Sequence, residues 1–241
     1  MTAVTSVSID QMREVDRVMM EEAGISLAQM MENAGRCLAT RARDMLGGEL
    51  HGQRITVLAG RGGNGGGGLA AARRLSVWGA AVTVVLAQAG EEMRGVPKLQ
   101  LSILEWMRVP IRTRGTEISE LLEGSALIID ALIGYSLRGA PAEPVASLIR
   151  MANASGRPLL ALDLPSGLDG DTGLPSDPTI RAAETLTLAL PKRGLLNPLA
   201  RPWVGKLSLA DISVPEAVYR RIGLTVGPIF ARSDIVAVDL P

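Results

Sequence analysis

The stretch Ile55-Thr56-Val57-Leu58-Ala59-Gly60-Arg61-Gly62-Gly63-Asn64-Gly65-Gly66-Gly67-Gly68 decides the fold. Its first five residues read as a buried strand, and the glycine run joins that strand to a helical pattern over 68–78. Two later segments repeat the arrangement. Ala126-Leu127-Ile128-Ile129 runs into Asp130-Ala131-Leu132-Ile133-Gly134. Pro158-Leu159-Leu160-Ala161-Leu162 runs into Asp163-Leu164-Pro165-Ser166-Gly167-Leu168-Asp169. In an open parallel sheet the carboxyl ends of the strands meet in one crevice, and ligands bind there. One polar site assembled from three distant segments is therefore expected.

Working outward, strands at 54–59, 82–87, 126–130, 158–163, 184–190 and 206–210 alternate with helices at 68–78, 97–107, 117–123, 142–154 and 214–221. Such alternation predicts a parallel sheet with helices on both faces. Upstream, Ser8-Ile9-Asp10-Gln11 and Ser26-Leu27-Ala28-Gln29 are capping boxes that open two helices. Gly24 ends the first and Gly47-Gly48 the second. Cys37 lies beside the apolar stripe of the second helix and reads as a small core residue. The expected organisation is a single domain over 1–241, with N-terminal helices in 1–50, a core in 54–215 and a C-terminal tail in 222–241.

The composition excludes several classes of function. Of 241 residues, 47% are hydrophobic and 21% charged, with 25 Lys plus Arg against 25 Asp plus Glu. That balance argues against a nucleic-acid binder relying on phosphate neutralisation. Three Trp, two Tyr and one Phe leave little for base stacking. No apolar run approaches the roughly 20 residues needed to span a bilayer. Met1-Thr2-Ala3-Val4-Thr5-Ser6 does not resemble a signal peptide. A single cysteine permits no internal disulfide, which fits a cytoplasmic protein. The one histidine, His51, precedes the first strand, at the end away from the crevice. It reads as a solvated loop residue, and neither a zinc cage nor a Ser-His-Asp triad follows from it.

Gly60 to Gly65 matches G-x-G-x-x-G, and the backbone N–H groups opening the following helix could hold a phosphate. The second strand, however, ends Val84-Val85-Leu86-Ala87-Gln88 without the acid that a redox dinucleotide site uses on its ribose. No G-K-[ST] follows, so a Walker loop is excluded. Seven glycines in nine residues are costly to order, which favours a loop of close backbone approach over a mere turn. Asp130, Asp163, Ser166 and Asn64 offer only oxygen and amide groups. That set suits a hard cation or ribose hydroxyls. Asp169 and Asp171 read as solvated turn carboxylates, and Lys192 as a surface lysine.

The three segments, in this order and spacing, resemble the YjeF N-terminal domain family, the NAD(P)HX epimerases. Gln29-Met30-Met31-Glu32-Asn33-Ala34-Gly35 resembles the family's L-M-E-N-A-G helix, and the stretch 57–69 its V-L-x-G-x-G-N-N-G-G-D-G-L loop. Asp130 to Gly134 resembles D-A-L-F-G, Asp163 to Gly173 resembles D-I-P-S-G-L-D-x-x-T-G, and Ala189 to Leu195 resembles A-x-P-K-x-G-L. The resemblance implies an α/β fold, a Rossmann-like three-layer αβα sandwich with a mainly parallel central sheet and an N-terminal helical extension. It implies a homodimer that interconverts the R and S forms of hydrated NADH or NADPH, hydroxylated at carbon 6 of the nicotinamide ring. The dinucleotide is then substrate rather than cofactor, and a dehydratase specific for the S form completes the repair. By position, the resemblance puts Asn64, Asp130 and Ser166 on a potassium ion. It puts Gly63, Asn64, Gly65, Gly66 and Gly67 along the substrate, together with Gly134, Tyr135, Ser136, Leu137, Arg138, Gly139 and Ala140. Asp163 is placed beside the reacting ring as the catalytic residue.

This chain departs from the family in two places. The family's N-N-G-G-D reads Gly63-Asn64-Gly65-Gly66-Gly67, so its first Asn and its Asp are both glycine. Lowered activity, another substrate for an isomerase or lyase, and a non-catalytic dinucleotide-binding or dimerisation module all stay open on the motif alone. If the lost acid weakens catalysis, Gly67→Asp is expected to raise turnover. The ending Ser233-Asp234-Ile235-Val236-Ala237-Val238-Asp239-Leu240-Pro241 resembles the segment that leads into a dehydratase in fused repair enzymes.

Overall fold

The structure is a computed structural model and describes residues 5–113 and 117–240. Each capping box forms as its spacing predicts. Ser8 caps α1 (Ile9–Arg17), and Gln11 returns a bond to the Ser8 backbone. Ser26 and Gln29 do the same for α2 (Leu27–Met45). A single π-helical turn, Val18–Glu22, extends α1 toward Gly24.

The alternating core follows: β1 (Arg54–Ala59), α3 (Gly63–Val77), β2 (Ala81–Leu86), α4 (Gly95–Trp106), β3 (Ile111–Arg112), α5 (Glu117–Glu123), β4 (Leu127–Ala131), α6 (Val145–Ala154), β5 (Leu159–Leu162), β6 (Glu184–Leu188), α7 (Arg201–Val204), β7 (Lys206–Ala210), α8 (Glu216–Arg221) and β8 (Ile235–Val238). The strand order is β3-β2-β1-β4-β5-β6-β7-β8. Among the described residues, every pairing within this sheet is parallel except β7 with β8. From β1 the chain first builds outward through β2 and β3, then returns to add β4 on the other side. The gap between β1 and β4 is thus the point where the winding reverses, and loops leaving the two strands diverge there.

Both sheet faces are covered, which explains the unbroken apolar runs. Ile55, Val57 and Ala59 of β1 pack with Ile129 and Ala131 of β4 and Leu160 and Leu162 of β5 under α2, α3 and α4. Leu58, Ile128 and Ala161 face α5 and α6. This is the period-two alternation of a strand buried on both sides. Among the described residues no helix is long and apolar enough to cross a membrane. Cys37 is buried as expected, and its thiol meets the Asp211 carbonyl.

Three features differ from the sequence reading. The helix after β1 starts at Gly63 rather than 68, so most of the glycine run is helix. The two-residue strand β3 lacks an apolar run that could announce it. The stretch 222–241, expected as a tail, contributes β8 to the sheet through pairing with β7.

Candidate functional site at the winding reversal

The glycine run is where backbones come closest. A Cβ on Gly60 would lie 1.9 Å from the Leu132 carbonyl oxygen, and one on Gly65 would lie 1.8 Å from the Gly60 oxygen. Only hydrogen fits at either place. This contact draws the β1 and β4 loops together. A cavity of about 640 Å³ opens above them, within the range of small-molecule sites. Gly62, Gly63 and Asn64 at the start of α3 form one part of its wall, and Gly134, Tyr135 and Ser136 after β4 form another. Gly62 caps α3 without a side-chain bond, leaving first-turn N–H groups for a ligand.

Asp163 enters from the end of β5. Its backbone is left-handed, with φ 68°, and its N–H bonds the Leu186 carbonyl at 2.8 Å. The bend turns the carboxylate into the cavity wall. A Cβ on Gly134 would lie 3.3 Å from Asp163 Oδ2 and 3.3 Å from Asn64 Oδ1. Asn64 and Asp163 therefore flank this glycine, brought together from segments about a hundred residues apart in the chain.

Lys192 corrects the sequence reading. It is not a surface lysine but is 1% exposed. Its Nζ donates to Asp163 Oδ1, to the Leu188 carbonyl at 2.9 Å and to Thr187 Oγ1 at 3.3 Å. A buried ammonium needs such a full set of acceptors. The chain supplies it by doubling back after β6, where Ala189 has φ 62°.

Asp130 is fully buried at the end of β4. It accepts from Ser166 Oγ at 2.7 Å, Ser166 N–H at 2.8 Å and Leu132 N–H at 3.2 Å. Burial nevertheless pushes its carboxyl up to about 6, against the opposing pull of those bonds. No lysine or arginine pairs with it among the described residues. Asn64 Nδ2 is likewise buried without a partner, and a half-turn of the amide would put its oxygen there instead. A buried carboxylate without a counter-charge, a hydroxyl and an orphaned amide are a donor set that fits a hard monovalent or divalent cation.

The structure divides the expected substrate-binding residues. Gly63, Asn64, Gly134, Tyr135, Ser136 and Asp163 line the cavity. Gly65, Gly66 and Gly67 lie inside α3, and Leu137, Arg138, Gly139 and Ala140 lie beyond the lining. Asp130 and Ser166 are not part of the lining, although Ser166 Oγ accepts at 2.9 Å from the N–H of Ile133, which is. Sequence reasoning missed Arg61, Gln88 and Asp16, all of which line the cavity. Asp16 had one signal. It falls four residues after buried Met12 on α1, at the border of the apolar stripe. Asp169 and Asp171 are exposed turn carboxylates, as expected, and Asp169 accepts from the Thr172 N–H at 2.7 Å.

Fold and site together define a doubly wound α/β protein with a ligand cavity at its winding reversal. The family described as YjeF-related protein N-terminus matches residues 27–194, and this chain belongs to it. An NAD(P)H-hydrate epimerase of Dehalogenimonas lykanthroporepellens is 45% identical over 92% of this chain and 87% of its own length. A bifunctional NAD(P)H-hydrate repair enzyme of Moorella thermoacetica is 35% identical over 87% of this chain, which spans 41% of that longer protein. The crystal structure of the yeast protein ynu0 superimposes with a TM-score of 0.85 at 25% identity, covering 98% of this chain and all of that one.

Proposed function

We propose that this chain is an epimerase that interconverts the R and S forms of hydrated NADH and NADPH. The observation that carries this reading is the meeting of Asn64 and Asp163 across Gly134, in a cavity of nucleotide size, within a chain 45% identical to a named epimerase. The reacting carbon bears a hydroxyl and is bonded to the ring nitrogen. Its configuration is lost if the hydroxyl leaves and water returns on the other face, or if the ring opens and recloses. Either route needs proton transfer at oxygen, which a positioned carboxylate speeds by about 10²–10⁴-fold.

Asp163 is the group assigned to that transfer, with Lys192 holding its carboxylate in place. The N–H groups opening α3 and the nearby Arg61 suit the dinucleotide's phosphates. Asn64, Asp130 and Ser166 would hold a potassium ion, which supplies a fixed positive charge beside the site. Epimerisation in a cytoplasmic homodimer, followed by a dehydratase acting on the S form, is the setting this reading assigns. The test is incubation with enriched R epimer, followed by chromatography of both epimers. Accelerated equilibration is expected, and Asp163→Asn should abolish it while dinucleotide still binds. Binding without conversion by the unaltered chain would instead indicate a non-catalytic module.

A further inference from the structure

One carboxylate on the cavity wall has no part in the reading above. Asp16, near the end of α1, accepts a hydrogen bond from the Tyr135 hydroxyl, 119 residues away in sequence. Both residues line the cavity that Asp163 enters from β5. Resting on the epimerase reading, we propose that Asp16 is a second catalytic residue of this reaction, the acid that gives a proton to the departing hydroxyl while Asp163 accepts one from the incoming water.

Two carboxylates in one hollow divide into acid and base when their surroundings differ. Here they do. Asp163 is ion-paired to Lys192 and also accepts from the Leu188 N–H at 3.3 Å and Thr187 Oγ1 at 3.4 Å. Asp16 has a neutral partner in Tyr135, and no lysine or arginine pairs with it among the described residues. Burial raises the Asp16 carboxyl above its ordinary range. The Tyr135 bond and the Lys192 charge oppose that rise, and the Asp163 charge adds to it. Arg13 on α1 and Tyr219 on α8 also feel this cluster, Arg13 being held by Asp10 at 2.7 Å, and Arg61, Glu92 and Glu143 line the same cavity.

The Asp16 carboxyl donates its proton to the oxygen on carbon 6. The carbon–oxygen bond breaks, its electron pair leaves with water, and the nitrogen lone pair closes a carbon–nitrogen double bond. The oxygen of a water molecule then bonds carbon 6 from the other face. The double-bond pair returns to nitrogen, and the proton of that water passes to Asp163. One proton has moved from Asp16 to Asp163, and solvent returns it. The reverse reaction moves the same proton the other way.

The experiment follows the approach to epimer equilibrium from enriched R form across pH. Asp16→Asn should slow it by about 10²–10⁴-fold with KM little changed. Tyr135→Phe keeps the acid but removes the donor that favours its charged form. For that variant the readout is the shape of the pH profile, whatever its absolute rate: the alkaline limb of kcat should move to higher pH. An Asp16→Asn variant at the unaltered rate, or an unmoved limb in Tyr135→Phe, overturns the proposal. If Asp16→Asn fails to fold by circular dichroism, the Tyr135→Phe limb decides alone. No conversion by the unaltered chain at any pH would remove the epimerase reading itself and the proposal with it.

Discussion

Lys192 and Gly67 show how little room single residues have at this site. Lys192→Met leaves the Asp163 carboxylate buried without its counter-charge, a loss of about 3–5 kcal/mol that urea unfolding will measure. Removing both charges in Lys192→Met/Asp163→Leu should recover much of that stability, though no activity. Gly67 carries a different lesson. A Cβ there points at Leu162 Cδ2 at 2.9 Å, with Ala34 Cβ and Met31 Sδ each 3.7 Å away. An aspartate at 67 therefore enters apolar packing, and the expectation drawn from the family motif reverses. Gly67→Asp should lower stability by at least about 1–3 kcal/mol, with a lower melting temperature and no gain in turnover.

Among elements, α3 is the most informative. Gly63→Ala adds a methyl whose nearest neighbour is Met31 Sδ at 3.9 Å. It should stabilise the helix by up to about 1 kcal/mol, raising the melting temperature by about 2–4 °C. Gly65→Ala drives a methyl into the Gly60 carbonyl and should unfold or inactivate the chain in the same assay. This contrast also explains why the helix start was not legible in the sequence. Glycine is a poor helix former, but here its missing side chain is what lets α3 lie against the ends of β1 and β4, and packing overrides propensity. The main strands were legible because burial on both faces leaves an unbroken apolar run. Asp130, Asp163, Ser166 and Asn64 were legible as polar residues placed where strands end. Lys192 and Asp16 were not, because their partners lie 29 and 119 residues away in sequence. Only the folded chain shows that Lys192 is buried and Asp16 half-buried.

For the whole molecule, Cys37 serves as a reporter of unfolding. Burial pushes its thiol from about 9 up to about 11, and the reactive species is the thiolate. At pH 8 the native chain should resist a thiol reagent, and labelling should proceed only as fast as the molecule opens. Because the folded thiol holds its proton to higher pH than the unfolded one, this group favours folding below about pH 9. That contribution fades between about 9 and 11. Unfolding midpoints followed across alkaline pH should fall in that window, and Cys37→Ala should lessen the fall.

The reversed direction of β8 has a consequence for how copies of this chain can meet. A parallel sheet ending at β7 would present a row of unpaired amides and carbonyls, an invitation to strand-by-strand polymerisation. β8 lies across that row, while the opposite border is only the two-residue β3. The borders of the sheet are then the four-residue β8 and the two-residue β3, and edges that short offer little length for another strand to pair along.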